Sequence, residues 1–581
     1  FVLQRGIFDI RCLVLQEPND TLLSCNWYDT RTMAHVCSTK VPDSYIASYN
    51  KRRELLNKEL PQGVEHRAGS KYSLKVTAPY FLKVPAFWED PSDHDNDSYV
   101  LKDCKYTYDL FKYFEEKLQS NNEWDFYIKR AVHWDRMLAK MTCRGVLLNY
   151  EKMDELSAVY AERQQAAKKK LDVIWEDHHT ELYQNSVAKL KDHYNEKCLS
   201  YIENRIKNPE KIPGVKERYR TRYLEAVQKV PTKINYNSDK QMLWLLRDKL
   251  GYECVDVNGK EGTGKEILEV LAASGKDDVR TFLEFRKANK VLTSYFPAYK
   301  ALSMGGTLHP YFNSGGARTG RLSSSDPNLQ QVPSDLYQVF KPRPGYSFIG
   351  YDMSAIEARI IAAMSGDPVL LDIISNGHSI HDYNTKYVFF DDVDCDVTDV
   401  KATCNDKRDA SKKVGFTIFY GGGYRRVKAG KILTGFPCSD ASAKKELKRF
   451  KDYYKVAASY HREITKCFED GDVIPNLLGR PVVIENPEDA YMKGFNTLVQ
   501  GTASDFCLQA CYNATKTYEY KGIDAHPVAL VHDFIMVECV DDALEQGNQI
   551  LVDAMTKFVI DCGDIKVKFE VEGFVGKVWK K

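Results

Sequence analysis

The chain has 581 residues, 43% of them hydrophobic, and its 82 Lys and Arg are balanced by 81 Asp and Glu for a net charge of +1. That length allows roughly two to four domains with real cores, while the near-neutral balance excludes a whole-protein basic excess, so any nucleic-acid footprint must be local. No apolar run approaches the roughly 18 to 20 residues needed to cross a bilayer, the start lacks a signal-peptide layout, and 15 scattered cysteines without a CxxC pair or zinc-spaced cluster point to a reducing compartment, so an intracellular, soluble protein with no membrane partner is expected.

The chain opens on Phe1 rather than Met, so upstream residues are expected. From Phe1 to about Leu118 short apolar runs alternate with turns. EDPSDHDNDS at 89–98 imitates a calcium loop, but Ser98 replaces the turn glycine and Cys104 the closing Glu, so a solvated loop is expected. From about Trp124 to Gln228 the sequence is rich in Glu, Lys, Ala, Leu and Gln, with almost no Gly or Pro before Pro209 and Pro213, which predicts long helices. Asn237-Ser238-Asp239 offers caps for a helix through QMLWLLRDKLG, ended by Gly251. Helical patterning continues through GTGKEILEVLAAS and VRTFLEFRKANKVLTSYFPAYKAL; after Gly305 strands, turns and helices mix to the end.

In that last part four stretches carry chemistry. RTGRLSSSDPNLQQVP, 318–333, offers Arg321, Asn328 and Gln330 as donors suited to phosphate and minor-groove acceptors, against the plainer reading of a surface loop. YSFIGYDMSAIEARIIAAMSGD, 346–367, reads as a buried strand running into a helix with Asp352 at the junction; Ser354 could cap that helix, and a capping role for Asp352 itself competes with a functional one. RDASKKVGFTIFYGGG, 408–423, sets Arg408, Lys412, Phe416 and Tyr420 at four-residue steps, each turning about 40° around a helix, so two cations and two aromatics share one slowly turning face. It lies in a basic segment in which Lys401, Lys407, Arg408, Lys412, Lys413, Arg425, Arg426, Lys428 and Lys431 are opposed only by Asp406 and Asp409. VALVHDFIMVEC, 528–539, is an apolar strand pair interrupted by His532 and Asp533; a carboxylate between such flanks is costly without a partner or metal. With Asp352 it supplies the two acids of a two-metal phosphoryl-transfer site. Cys507 and Cys511, one turn apart, read as packing.

TGRLSSSDPNLQQVP, DMSAIEAR, RDASKKVGFTIFYG and VHD, in this order and spacing, closely resemble the motifs of family A (polymerase I-like) DNA polymerases, of phage or organelle type; NTLVQGTASDF at 496–506 and the ending VEGFVGKVWKK fit as well. The resemblance implies an α+β right-hand fold: a palm with an antiparallel sheet, about 301–365 and 500–581, helical fingers at about 366–499, and a helical thumb at about 150–300, all within a polymerase domain at 121–581. It implies that Asp352, Asp533 and the carbonyl of Met353 hold two Mg²⁺ ions, with Mn²⁺ as a substitute, and that Arg408, Lys412 and His381 contact the triphosphate of a dNTP. One ion would lower the pKa of the primer 3′-hydroxyl and the other neutralise the departing phosphates, Lys412 donating a proton. Phe416 and Tyr420 would line the sugar and base pocket, and Glu357 would reject a 2′-hydroxyl. Arg321, Asn328, Gln330, Asn496 and Gln500 would touch primer–template DNA, each with a structural amide or guanidinium role as the alternative, and His532 would contact the DNA as well. The helical region near 150–235 is a candidate seat for a processivity factor.

The segment 1–120 resembles part of a truncated RNase H-like α/β 3′–5′ exonuclease domain, with Asp9 and Asp29 in its middle and Tyr99 and Asp103 in its last motif; the first motif has no counterpart, so no proofreading is expected of this chain. Two departures stand out. Phe534 follows Asp533 where the family usually has Glu, and Gly415 weakens the fingers helix by about 1 kcal/mol of propensity, so a mobile helix is expected. The rivals are a single-subunit RNA polymerase, opposed by Glu357 and TGRLSS, and an inactive nucleic-acid-binding scaffold, opposed by the retained acids.

Overall fold

The computed structural model describes residues 2–3, 15, 26–37, 41–57, 73–84, 96–205, 211–317 and 319–580. The chain divides into two compact units: Phe1–Lys152 with Ala298–Gly423 and Lys444–Lys581, and Met153–Pro297 with Tyr424–Ala443.

The first unit is built on a four-stranded sheet. Its central strand β1 (Tyr346–Met353) is flanked by β3 (Phe534–Val540) on one side and β4 (Val571–Gly576) on the other, with β2 (Ala525–Val531) outside β3, and every pairing is antiparallel. The apolar runs of β1, β2 and β3 follow from burial: Phe348, Ile349, Val528, Leu530, Ile535 and Val537 are fully buried. On the sheet lie α5 (Phe495–Lys521), buried along most of its length, and α6 (Leu544–Thr556), which pack on each other; α1 (Val132–Arg144) packs on α5 and β2. Two buried acids tie these layers together. Asp505 on α5 accepts from Arg480 (2.7 Å) and Asn476 (2.7 Å), and Glu538 on β3 accepts from Arg144 (2.7 Å) and Arg343 (2.7 Å). Such pairs are costly to break because each lost partner strands a buried charge.

After β1 the chain enters α2 (Ile356–Ser365) and α3 (Pro368–Ser375), and later α4 (Asn405–Phe419). The expectation that Ser354 caps α2 fails: the N-cap is Ala355, in a left-handed conformation with φ 50, and no side chain caps it. Ser354 instead donates its backbone N–H to Glu570 O at 2.8 Å, one residue beyond the strand. Asp352 lies inside β1 rather than after it.

Nearer the N-terminus, Val2–Leu3 pairs in parallel with Tyr28–Asp29, and the helix Asn96–Ser120 packs on Thr30–Val36 and Leu74–Leu82. That helix overturns part of the loop expected at 89–98, since 96–98 form its first turn; 89–95 lie outside the described residues.

The second unit is helical, as the composition of 124–228 and the patterns after it predict, with Glu176–Arg205, Ile212–Val227, Lys265–Ala273 and Asp277–Lys290 among its helices. Its core gathers Trp175, Leu245, Leu246, Leu268, Val279 and Phe282. Ser238 is the expected N-cap, accepting from Gln241 N at 3.4 Å, and Gly251 turns left-handed with φ 67 beyond the helix end. The helix Tyr424–Leu433 belongs to this unit and packs on Lys265–Ala273. No described helix is long and apolar enough to cross a membrane.

Candidate active site

The sheet brings the two acids together. Asp352 pairs in register with Phe534 on β3 and with Glu572 on β4. β2 and β3 are joined by His532 and Asp533 alone, so Asp533 sits at the hairpin tip next to the end of β1, and Met353 N–H donates to Asp533 O at 3.3 Å. Adjacent strands run about 4.8 Å apart, which fixes the two residues as close neighbours. His532 (φ 60) and Ala355 (φ 50) are both left-handed, a conformation that disfavours side chains other than glycine. Strain of this sort concentrates at functional sites, and here it flanks both acids. Both half-buried carboxylates line one cavity of about 420 Å³.

Arg408, Lys412 and Phe416 of α4 line that cavity too, one helical turn apart, together with His381. Arg408 donates to the Asp382 carboxylate and to Ser379 Oγ (3.3 Å). His381 is buried edge-on to Phe416, with ring centroids 5.3 Å apart. Burial, with the charges of Lys412 and Arg408 adding to it, pulls its pKa down to about 3, so the imidazole is neutral near pH 7. Its Nδ1 is buried without a hydrogen-bond partner among the described residues.

Tyr420 is the C-cap of α4 and lies apart from this cavity lining; its hydroxyl donates to Glu357. The opposite side of the Glu357 carboxylate accepts from Arg321 at 2.5 Å, and Gln500 on α5 also bonds Tyr420. Burial pushes the Glu357 pKa up, against the lowering effect of Tyr420 and Arg321, and burial with Glu357 drives the Tyr420 hydroxyl far above its usual range. Arg321, Gln330, Glu357, His532 and Asp533 line a second, smaller cavity of about 50 Å³.

The glycines that follow α4 have separate reasons. Gly421 turns with φ 78, and a Cβ on Gly422 would come within 2.5 Å of Thr417 O. Gly415 is read differently from the sequence expectation: it is buried, and a Cβ there would come within 2.9 Å of Asn384 Nδ2, so close packing rather than mobility explains it. Phe534 is likewise a packing residue, lying parallel to Phe574 and Trp579 at centroid distances of 6.4 Å and 6.1 Å over the bare Cα of Gly350.

Of the other predicted site residues, Asn328 is exposed and caps the short turn Leu329–Gln331, accepting from Gln330 N at 2.9 Å. Asn496 stands one turn before Gln500 on α5, outside both cavities, with a buried Oδ1 that no donor among the described residues reaches. Asp9 lies outside the described residues; Tyr99 and Asp103 are on the helix Asn96–Ser120, where burial raises the Asp103 pKa. Asp29 caps the helix Thr30–Val36 by accepting from Arg31 N.

Sequence reasoning passed over Asp382, Ser379, Arg359, Glu570 and Glu572. Arg359 is tied down by Lys568 O (2.6 Å), Ser354 O (3.1 Å) and Glu570 (2.5 Å). The signal for Asp382 was present in the string HSIHDY, where an acid adjoins the cavity histidine.

Among the described residues no group of three or more His, Cys, Asp and Glu side chains could close a cage on a metal. Asp352 and Asp533 line the cavity beside Met353, and two carboxylates open to a cavity are hard oxygen donors of the kind that suits Mg²⁺, which is held by one or two carboxylates and completed by substrate phosphates.

The sequence model of DNA polymerase family A matches residues 213–581. DNA polymerase I of Aquifex aeolicus is 31% identical over 52% of this chain and 51% of its own length, and the thermostable DNA polymerase I of Thermus filiformis is 30% identical over 59% and 41%. The DNA polymerase of Bacillus phage SP01 is 23% identical over 98% of this chain and 62% of its own. The chain thus spans about half the length of these curated relatives. Among solved structures, the polymerase domain of Pol1 from M. smegmatis, in complex with DNA primer-template and dNTP, superposes with a TM-score of 0.68 at 19% identity, covering 95% of this chain and 81% of that one, a likeness of fold. With the family match running through the sheet, both acids and α4, this chain belongs to DNA polymerase family A.

Proposed function

We propose that this chain is a template-directed DNA polymerase that extends a primer with dNTPs. The observation that carries the reading is a single cavity lined by Asp352, Asp533, Arg408, Lys412, His381 and Phe416. Family A polymerases use divalent metal; here Asp352, Asp533 and the Met353 carbonyl would hold two Mg²⁺ ions, or Mn²⁺ in their place. When bound, these ions activate the primer hydroxyl and neutralise the charge that develops on the phosphates.

The chain's own residues do the remainder. Arg408 and Lys412 grip the triphosphate, Arg408 keeping its orientation through Asp382. Lys412 supplies a proton to the pyrophosphate as it leaves. His381, neutral at working pH, can donate one N–H to a phosphate oxygen without adding charge. Phe416 offers a ring face to the incoming nucleotide. Glu357, held by Arg321 and Tyr420, blocks a 2′-hydroxyl. Arg321, Gln330, Gln500, Asn496 and His532 attend the primer terminus and template, with Asn328 supporting that loop from the surface. The sheet unit would supply the palm and the fingers apart from Tyr424–Ala443, which cluster with the helical unit, and the helical Met153–Pro297 would supply the thumb, a reading its separate core supports.

The experiment is extension of a primed template with dNTPs or rNTPs. Extension restricted to dNTPs in the presence of Mg²⁺ is the expected result; a preference for rNTPs, or DNA binding without extension, would reject the reading.

A further inference from the structure

Lys401 lines the same cavity as the two acids. It sits on the helical turn Val400–Thr403, anchored by the fully buried Val400 and packed on α4. Cys404, with φ −135 and ψ 43, ends that turn and starts α4, so Lys401 is not on the stripe of Arg408 and Lys412. It reaches the cavity from a separate element.

The two guanidinium groups that line the cavity are already engaged: Arg408 pairs with Asp382 and Arg359 with Glu570. Among the described residues Lys401 and Lys412 make no salt bridge, and both are exposed to the cavity. An exposed lysine is ordinarily just a solvated charge. Here it borders a cavity whose other titratable lining includes Asp352, Asp533, Glu357, Glu570 and Glu572, and a polyanion entering beside those acids needs uncommitted positive charge. An ammonium on a flexible stem suits a phosphate that changes position during a reaction, because it binds as a point charge rather than through a fixed fork.

We propose that Lys401 is a further phosphate-binding residue: with Lys412 it binds the outer phosphates of the incoming nucleotide and then retains the pyrophosphate before release. This rests on the polymerase reading of the cavity.

The test uses the full chain with Lys401→Ala, Lys401→Glu and Lys401→Arg. Primer extension gives KM for dNTP, kcat and the inhibition constant of pyrophosphate; calorimetry gives pyrophosphate affinity in Mg²⁺ without turnover; fluorescence anisotropy gives primer–template affinity. Lys401→Ala should raise KM and the pyrophosphate constants about tenfold, and Lys401→Glu should raise them further. Lys401→Arg should recover most of the loss, with kcat and DNA affinity within about twofold of the parent. Unchanged KM and pyrophosphate constants would overturn the inference, and so would a loss confined to DNA affinity, which would put Lys401 on the nucleic acid. If the parent chain fails to extend primers, the polymerase reading falls, while the calorimetric pyrophosphate comparison still decides whether Lys401 binds phosphate.

Discussion

Replacing Phe534 with the glutamate that the family motif usually carries should unfold the end of the sheet rather than improve the site. Phe534 is 1% exposed, and its ring lies within 8° of parallel to Phe574 and Trp579, the latter stacked on Tyr337 at 4.5 Å. Removing a buried phenyl costs about 3–5 kcal/mol through lost transfer energy and the cavity left behind. A carboxylate introduced there without donors adds about 1–3 kcal/mol or more. The sum, about 5 kcal/mol or more, is comparable with the whole stability of many domains, about 5–15 kcal/mol. Thermal denaturation of purified variants should therefore show the transition of this unit falling by at least about 5 °C for Phe534→Glu, while Phe534→Leu, which stays apolar, falls much less. Gly350→Ala gives an independent check, since its Cβ would come within 2.6 Å of both the Phe534 and Phe574 rings. A Phe534→Glu chain that melts within about 2 °C of the parent would refute the reasoning and show that the position is open to a charged side chain.

Further outcomes follow from the same geometry. Asp533→Asn should leave primer–template affinity nearly unchanged and abolish extension, measured by anisotropy and single-turnover kinetics; wild-type rates would remove Asp533 from the proposed role. Arg408→Ala should raise the dNTP KM and also destabilise the protein by about 3–5 kcal/mol, because Asp382 would be left without its cation; adding Asp382→Ala should restore the melting temperature but not KM. Gly415→Ala should lower stability despite a helix-propensity gain of about 1 kcal/mol, since the new methyl meets Asn384 Nδ2 at 2.9 Å, and circular dichroism melts will show the sign. Burial pulls the pKa of His461 down to about 4 and that of His381 to about 3, against 6.5 for an ordinary histidine. The native state therefore resists protons that the unfolded chain accepts, so stability is complete above pH 6.5 and is lost as pH falls toward 4 and then 3. His461→Phe should flatten that slope in melts recorded across this range.

The main elements were legible because their signals are local. An apolar run broken by His532 and Asp533 reads as a hairpin with a costly acid at its tip, and four-residue spacing puts Arg408, Lys412 and Phe416 on one face without knowledge of any neighbour. What stayed hidden depends on residues distant in sequence. Arg408 meets Asp382 across 26 positions and Arg321 meets Glu357 across 36, and no periodicity reports such pairs. Gly415 looked like a weak point because propensity is a property of the isolated helix, whereas its cause is Asn384 on a neighbouring element. Ser354 looked like a cap because its residue type favours that position, but its backbone N–H bonds Glu570 O just beyond the strand, and the N-cap falls at Ala355. Lys401 was visible only as one charge in a basic run, and the break at Cys404 is what sets it on a different element from Lys412.

The central claim is that Asp352 and Asp533 jointly hold divalent cations where a nucleotide joins a primer. Anomalous diffraction from crystals of the chain with a dideoxy-terminated primer–template, a matched dNTP and Mn²⁺ tests it most directly. The account expects metal peaks bridged by the two carboxylates and the nucleotide phosphates, lost in Asp533→Asn. Metal density elsewhere, or phosphates bound with neither aspartate in contact with a cation, would contradict it.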